Sequence, residues 1–272
     1  MIVTVLVDNN AREGLTAAHG LSLYVETDGR RILFDFGPKG ELLLQNAEAL
    51  GVDLSKVDFA VLSHGHYDHS GGLEAFLQAN PKAPVYAQKD AFQPHYVDKG
   101  EGLRDISADV TLPERYPTRI KRPFALVQPG DGLICFALVP RKIPFGEAYD
   151  TFFSGSAEEP VPEDFHHEMH LLIREGLTWY LLAGCAHQGI ANVLDHVEGL
   201  IGKKPAAVIA GLHLIGETPE TVATVGDALK ERGVPVCTCH CTGSEAYAQL
   251  SEQLGTQIRF LQAGDVLEFG DD

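Results

Sequence analysis

Four potential metal ligands fall within six residues in the string Ser63-His64-Gly65-His66-Tyr67-Asp68-His69-Ser70-Gly71-Gly72, directly after the apolar run Val57-Asp58-Phe59-Ala60-Val61-Leu62. In an extended segment, residues two apart point the same way, so His64 and His66 can chelate one ion from a strand end. Asp68 and His69 fall where Gly71-Gly72 begins the helical pattern Leu73-Glu74-Ala75-Phe76-Leu77, and so aim at a neighbouring position. Imidazole and carboxylate together suit zinc, iron or manganese and need no thiolate. Twelve histidines in 272 residues will form some close pairs as solvated loop residues. Chance rarely places this spacing at the end of a buried strand.

Three more histidines stand at comparable places. His187, in Gly184-Cys185-Ala186-His187-Gln188-Gly189, follows the strand expected from Trp179 to Ala183. His240 ends a strand before Thr242-Gly243 and a helix, and His213, in Gly211-Leu212-His213-Leu214, follows the strand expected from Ala206 to Ala210. The plain alternative for each is a buried histidine satisfied by backbone groups, and that alternative is strongest for His213.

These junctions need strands and helices to position them. Leu21 to Glu26 and Arg31 to Phe36 flank the hairpin signal Thr27-Asp28-Gly29-Arg30, and Glu41 to Leu50 has helical spacing stopped by Gly51. In the second half, His170 to Arg174 and Thr178 to Ala183 read as a hairpin, and Ile190 to Leu200 as a helix. Thr218-Pro219-Glu220 opens a helix that Gly233 ends, with N-cap and first-position proline in place. Another helix spans Ser244 to Leu254, and strands close the chain near Ile258 to Leu261 and Val266 to Phe269. Two halves that each mix hairpins with βα units favour an α/β (α+β) αββα sandwich, two mixed sheets flanked by helices, over a doubly wound sheet.

From about residue 89 to 165 the pattern loosens under repeated prolines, and Gly146 to Asp164 has no period. Phe145, Tyr149, Phe152, Phe153 and Phe165 make it too apolar for a typical solvated linker. It reads as a lid or binding loop inserted into one domain, 1–272.

The formal charge of -17 argues against a nucleic-acid partner, since Arg119-Ile120-Lys121-Arg122 is the only short basic patch. The start, Met1-Ile2-Val3-Thr4-Val5-Leu6-Val7, has no basic n-region or cleavage site. No apolar run reaches the roughly 18 residues that span a bilayer. A cytoplasmic protein with a small-molecule substrate and no membrane partner is expected, with no oligomeric state assigned. Of the five cysteines, Cys237, Cys239 and Cys241 alternate along an apolar stretch and would share one strand face, His240 the other. They read as small buried hydrophobes, with a thiolate site or redox pair as the alternative.

The HxHxDH string resembles the signature of the metallo-β-lactamase superfamily, whose members bind one or two metals at the edge of an αββα sandwich. Gly20-Leu21-Ser22, Leu33-Phe34-Asp35, Leu62-Ser63-His64-Gly65-His66, Gly184-Cys185-Ala186-His187, Gly211-Leu212-His213-Leu214 and His240-Cys241-Thr242-Gly243 together resemble the branch often named dihydropterin ribofuranosylaminobenzene 5'-phosphate synthase. The resemblance implies one or two divalent ions, zinc foremost, with His64, His66 and His187 on the first and Asp68, His69 and His240 on the second. The superfamily's bridging Asp falls near Cys185, so either the bridge is absent or Cys185 supplies it. The usual third histidine could instead be His166, His167 or His170.

Hydrolysis of a small ester, phosphoester or related bond by a metal-activated hydroxide follows as the leading expectation. Asp68 would orient the nucleophile, and His213 would donate to the leaving group or bind a substrate anion. His19, Asn9 and Cys185 are weaker pocket candidates, and Asp35 an orienter of the metal loop. The alternatives are a pterin-pathway synthase and an iron-dependent redox enzyme. Oxygen-reducing di-iron relatives carry Glu where this chain has His66, which favours hydrolytic metals.

Overall fold

The computed structural model describes residues 1–143 and 147–270; Phe145 and Gly146, expected at the start of the lid, lie outside the described residues. Two seven-stranded sheets form the frame. The first runs in the order Val266–Glu268, Ile2–Val7, Ser22–Thr27, Arg30–Phe34, Phe59–Val61, Val85–Tyr86, Ile120–Lys121, antiparallel up to Arg30–Phe34 and parallel beyond it. The second runs Ile258–Phe260, Val236–Thr238, Ala207–Ala210, Thr178–Leu182, Met169–Glu175, Leu133–Ala137, Leu126–Gly130, with its parallel strands first.

Period-two alternation assigns each side chain to a layer. Leu23 and Val25, Ile32 and Phe34, Leu171 and Ile173, and Tyr180 and Leu182 fill the core between the sheets. Tyr24 and Leu33 face the helices Gly40–Ala49 and Leu73–Ala79, while Leu172 and Leu181 face Ile190–Ile201, Pro219–Arg232 and Ser244–Leu254. The result is an αββα sandwich. At the Thr27 hairpin, Asp28 and Gly29 both take positive φ (43° and 71°), as a two-residue type I′ turn requires. Thr218 accepts a hydrogen bond from the amide of Thr221, Pro219 opens the helix, and Gly233 closes it at φ 64°.

A third, four-stranded antiparallel sheet contains Pro160–Pro162, Phe152–Gly155, His95–Val97 and Arg104–Asp105. This is the stretch that reads as aperiodic in sequence. Its strands are two to four residues long and Pro160 and Pro162 sit on its edge, so no alternation develops. The cysteine alternation also stops short. The strand ends at Thr238, and His240 turns to φ 47°, so Cys239 stays in the inter-sheet core while Cys241 swings to the cavity described below.

Candidate metal centre

Six histidine and carboxylate side chains converge where strand ends of the two large sheets meet. Phe59–Val61 delivers His64 and His66, and the short helix Tyr67–Ser70 carries Asp68 and His69. His187 follows Thr178–Leu182, and His240 follows Val236–Thr238. The loops fit closely: a Cβ on Gly184 would run into Ser63 Oγ, so only glycine lets the two strand ends approach.

The rings of His64, His66 and His187 lie 4.6 to 5.0 Å apart, centroid to centroid. Their buried Nε2 atoms have no protein hydrogen-bond partner. In the adjoining group, His69 Nε2 lies 3.1 Å from His240 Nε2 and 3.2 Å from Cys185 Sγ. Asp68 Oδ2 lies 3.3 Å from His240 Nε2 and 3.1 Å from His19 Nε2. Cys185 belongs to both neighbourhoods, one with His64 and His187 and one with His69 and His240, each compact enough to hold an ion.

Orienting contacts stand behind these groups. Asp35 Oδ2 lies 2.6 Å from His69 Nδ1, and Oδ1 accepts from the Ser63 amide at 2.7 Å. Asn9 Oδ1 lies 2.8 Å from His240 Nδ1, and Asn9 also accepts from the Gly20 amide. Asn9 therefore braces His240 from behind, while His19, half exposed, lines the cavity. His213 is packed between His187 and the aromatics, 4.3 Å from the His187 ring and 5.1 Å from that of Tyr149.

The three alternative histidines are placed differently. His166 is exposed and pairs with Asp164. His167 accepts the Gly65 amide at Nδ1, 3.0 Å, and is grouped with His66 and His95. His170 is buried against Phe136. Sequence reasoning missed His95, which joins that third group and is 2.7 Å from Glu163, and Glu168, which accepts the amides of His187 and Gln188 at 2.6 and 2.9 Å. Both lie in stretches without periodicity, where a lone His or Glu carries no signal.

With this geometry established, a family model for the metallo-β-lactamase superfamily matches residues 15–214. The chain belongs to the metallo-β-lactamase superfamily. An uncharacterized protein of Methanocaldococcus jannaschii is 31% identical over 258 residues, 92% of this chain and 94% of that one. The 7,8-dihydropterin-6-methyl-4-(β-D-ribofuranosyl)-aminobenzene-5'-phosphate synthase of the same organism is 28% identical over 270 residues, 92% of this chain and 90% of that one. Among solved structures, a metal-dependent hydrolase of the β-lactamase superfamily aligns over 100% of both chains with 28% identity and a TM-score of 0.84. Zinc-bound PqqB from Methylobacterium extorquens shares the fold alone, at 14% identity and TM-score 0.59 over 99% and 100% of the chains.

Electrostatics in this superfamily member suit metal-ligating histidines. Burial, reinforced by neighbouring imidazoles, drives His64, His66 and His187 well below the usual histidine range, so they are neutral, the form that binds ions. Burial also opposes charge on His69, but the carboxylates of Asp35, Asp68 and Glu168, Asp35 foremost, together outweigh it and lift that imidazole above its ordinary value. Burial raises Asp68, yet hydrogen bonds from His19 and His240 hold it well below the carboxylate range. His213 is pushed down to about 3 by burial, and Glu168 up to about 7 by burial against the pull of its two amide donors.

A cavity of about 270 Å³ opens over these groups, lined by His19, His66, Asp68, Cys185, His187, His213 and His240. Phe152 of the third sheet walls it, and Phe165 stands behind His187. Phe152 stacks on His66 at 5.6 Å, and Phe165, fully buried, lies parallel to His187 at 4.5 Å.

Proposed function

We propose that the protein is a metal-dependent hydrolase that cleaves a small ester, phosphoester or related bond in this cavity. His64, His66 and His187 would hold one divalent ion and Asp68, His69 and His240 a second, zinc foremost, with iron or manganese as the other candidates. The observation that carries the reading is the set of buried, unpartnered Nε2 atoms on His64, His66 and His187. A buried polar atom left without a partner costs about 1–3 kcal/mol, a cost that a bound cation removes.

Bound divalent ions supply Lewis acidity and a water of lowered pKa. The chain's own residues do the rest. Asp68 orients the attacking water as well as serving as ligand. Asp35 and Asn9 fix the rings of His69 and His240, so each presents Nε2 inward. His213 binds the leaving oxygen or a substrate anion. Cys185 takes the place between the two ligand groups where relatives carry a bridging carboxylate. Residues 1–272 act in this reading as one metallo-β-lactamase-fold domain, with the segment around 89–165 as its lid excluding water.

The second reading, a pterin-pathway synthase, draws on the synthase relative and would use the same ligands. A panel of 4-nitrophenyl carboxylate esters, phosphomonoesters and phosphodiesters, assayed with metal-loaded protein, separates the two. Turnover of at least one class, lost by 10²-fold or more in Asp68→Ala with the fold intact, is expected for the hydrolase. A metal-replete protein that cleaves none of them would favour the synthase.

A further inference from the structure

Lysine and arginine are scarce in this chain, 21 against 38 acids, and seven of them pair with a carboxylate among the described residues. Arg12 pairs with Asp265, Arg115 with Glu74 and Asp109, Arg174 with Asp131, and Arg232 with Asp195. Lys99 and Arg104 do not. Both are exposed, neither has an ion pair or side-chain hydrogen bond among the described residues, and they are the two Lys/Arg side chains that line the 270 Å³ cavity. The one carboxylate in that lining is Asp68, already engaged by His19 and His240.

Their placement is built. They flank the turn of the hairpin His95–Val97 and Arg104–Asp105, in which Val97 pairs with Arg104. Of the acids in and beside the turn, Asp98 Oδ1 accepts from the amides of Gly100 and Gly102 at 2.7 and 3.1 Å and Asp105 Oδ1 from the amide of Ser107 at 2.8 Å, while Glu101 is exposed between the two cations without an ion pair to either. Both glycines take positive φ, 94° and 95°. On the other side Val97 pairs with Phe152, the residue stacked on His66. One small sheet thus sets an apolar wall beside the ligands and, at the mouth, two cations without an ion pair among the described residues. In a protein of net charge -17, such a mouth focuses anions towards the cavity.

We propose that Lys99 and Arg104 form a subsite for a second anionic group of the substrate, a phosphate or carboxylate remote from the bond that reacts. The inference rests on the cavity being where substrate meets the metal-holding residues, as proposed above. It narrows the substrate to a small molecule with an anion at its far end.

The test is an equilibrium one. Calorimetry on metal-loaded protein compares propylphosphonate, which has one anionic head, with propane-1,3-diphosphonate and 4-phosphonobutyrate, which have two. Wild type should bind at least one two-headed ligand about tenfold more tightly than propylphosphonate, the size expected for two exposed charge contacts. A gain for the diphosphonate alone assigns a phosphate, and a gain for both assigns a general anion site. The double variant Lys99→Gln/Arg104→Gln should lose the preference, and Lys99→Glu/Arg104→Glu should reverse it, while propylphosphonate affinity falls by less than that of the two-headed ligands. High salt should shrink the preference in wild type. Absence of a preference in wild type, or its persistence in both variants, overturns the proposal. Because no turnover is read, failure of the ester panel leaves this outcome legible on its own.

Discussion

Asp35 and His69, 34 residues apart, meet with Oδ2 at 2.6 Å from Nδ1, both side chains fully buried. The carboxylate reaches there because Asp35 leaves its strand at φ 63°, a backbone conformation that non-glycine residues seldom adopt. The contact fixes which nitrogen of His69 faces His240 and Cys185. Asp35→Asn should keep the shape and lose the charge. Metal affinity is expected to fall about 10- to 100-fold, measured by competition with a chelator, while the circular dichroism spectrum is retained. Unchanged affinity would mean that the pair is structural only.

Acid sensitivity should trace in part to His170. Burial, with a smaller effect of His196, lowers it to about 3, while the unfolded chain titrates near 6.5. Below 6.5 the unfolded state binds the proton that the folded state refuses. Stability from this group is therefore complete above about pH 6.5 and drains away as pH falls towards 3. His170→Leu should flatten that limb in metal-free protein, by on the order of 2–3 kcal/mol at pH 4.5 relative to its own value at pH 7. Parallel denaturation-midpoint curves for variant and wild type across that window would contradict it.

Phe152→Ala should separate the wall from the ions. The ring stacks on His66, but from the cavity side, and belongs to the third sheet rather than the frame. KM for a reactive ester is expected to rise about 10- to 100-fold, the equivalent of the roughly 1.5–3 kcal/mol that a buried aromatic face provides, with metal content unchanged. Loss of the metal in a folded Phe152→Ala protein would assign the lid a structural part in the centre instead.

The frame was readable because its signals are local and repeated. Leu23, Tyr24 and Val25 alternate between two cores, and Thr218, Pro219 and Gly233 mark a helix by cap chemistry. His64, His66, Asp68 and His69 were readable because one strand end carries them all. The small sheet was not, since strands such as Arg104–Asp105 are too short to show a period and the two hairpins are joined by the pairing of Phe152–Gly155 with His95–Val97, more than 40 residues away. Neither Lys99 nor Arg104 has a neighbour in sequence that hints at the cavity. Cys241 departs from its strand pattern because His240 turns the chain at φ 47°, a conformation imposed by its tertiary contacts with Asp8 and Asn9.

The central claim is that His64, His66 and His187, with Asp68, His69 and His240, hold divalent ions. Elemental analysis of protein purified anaerobically, beside its His187→Ala and His240→Ala variants, tests this most directly. One or two ions per chain are expected in wild type, with the content falling by about one ion in each variant while the fold persists. A folded wild-type protein that carries no divalent ion and takes none up from micromolar zinc, iron(II) or manganese would contradict the account.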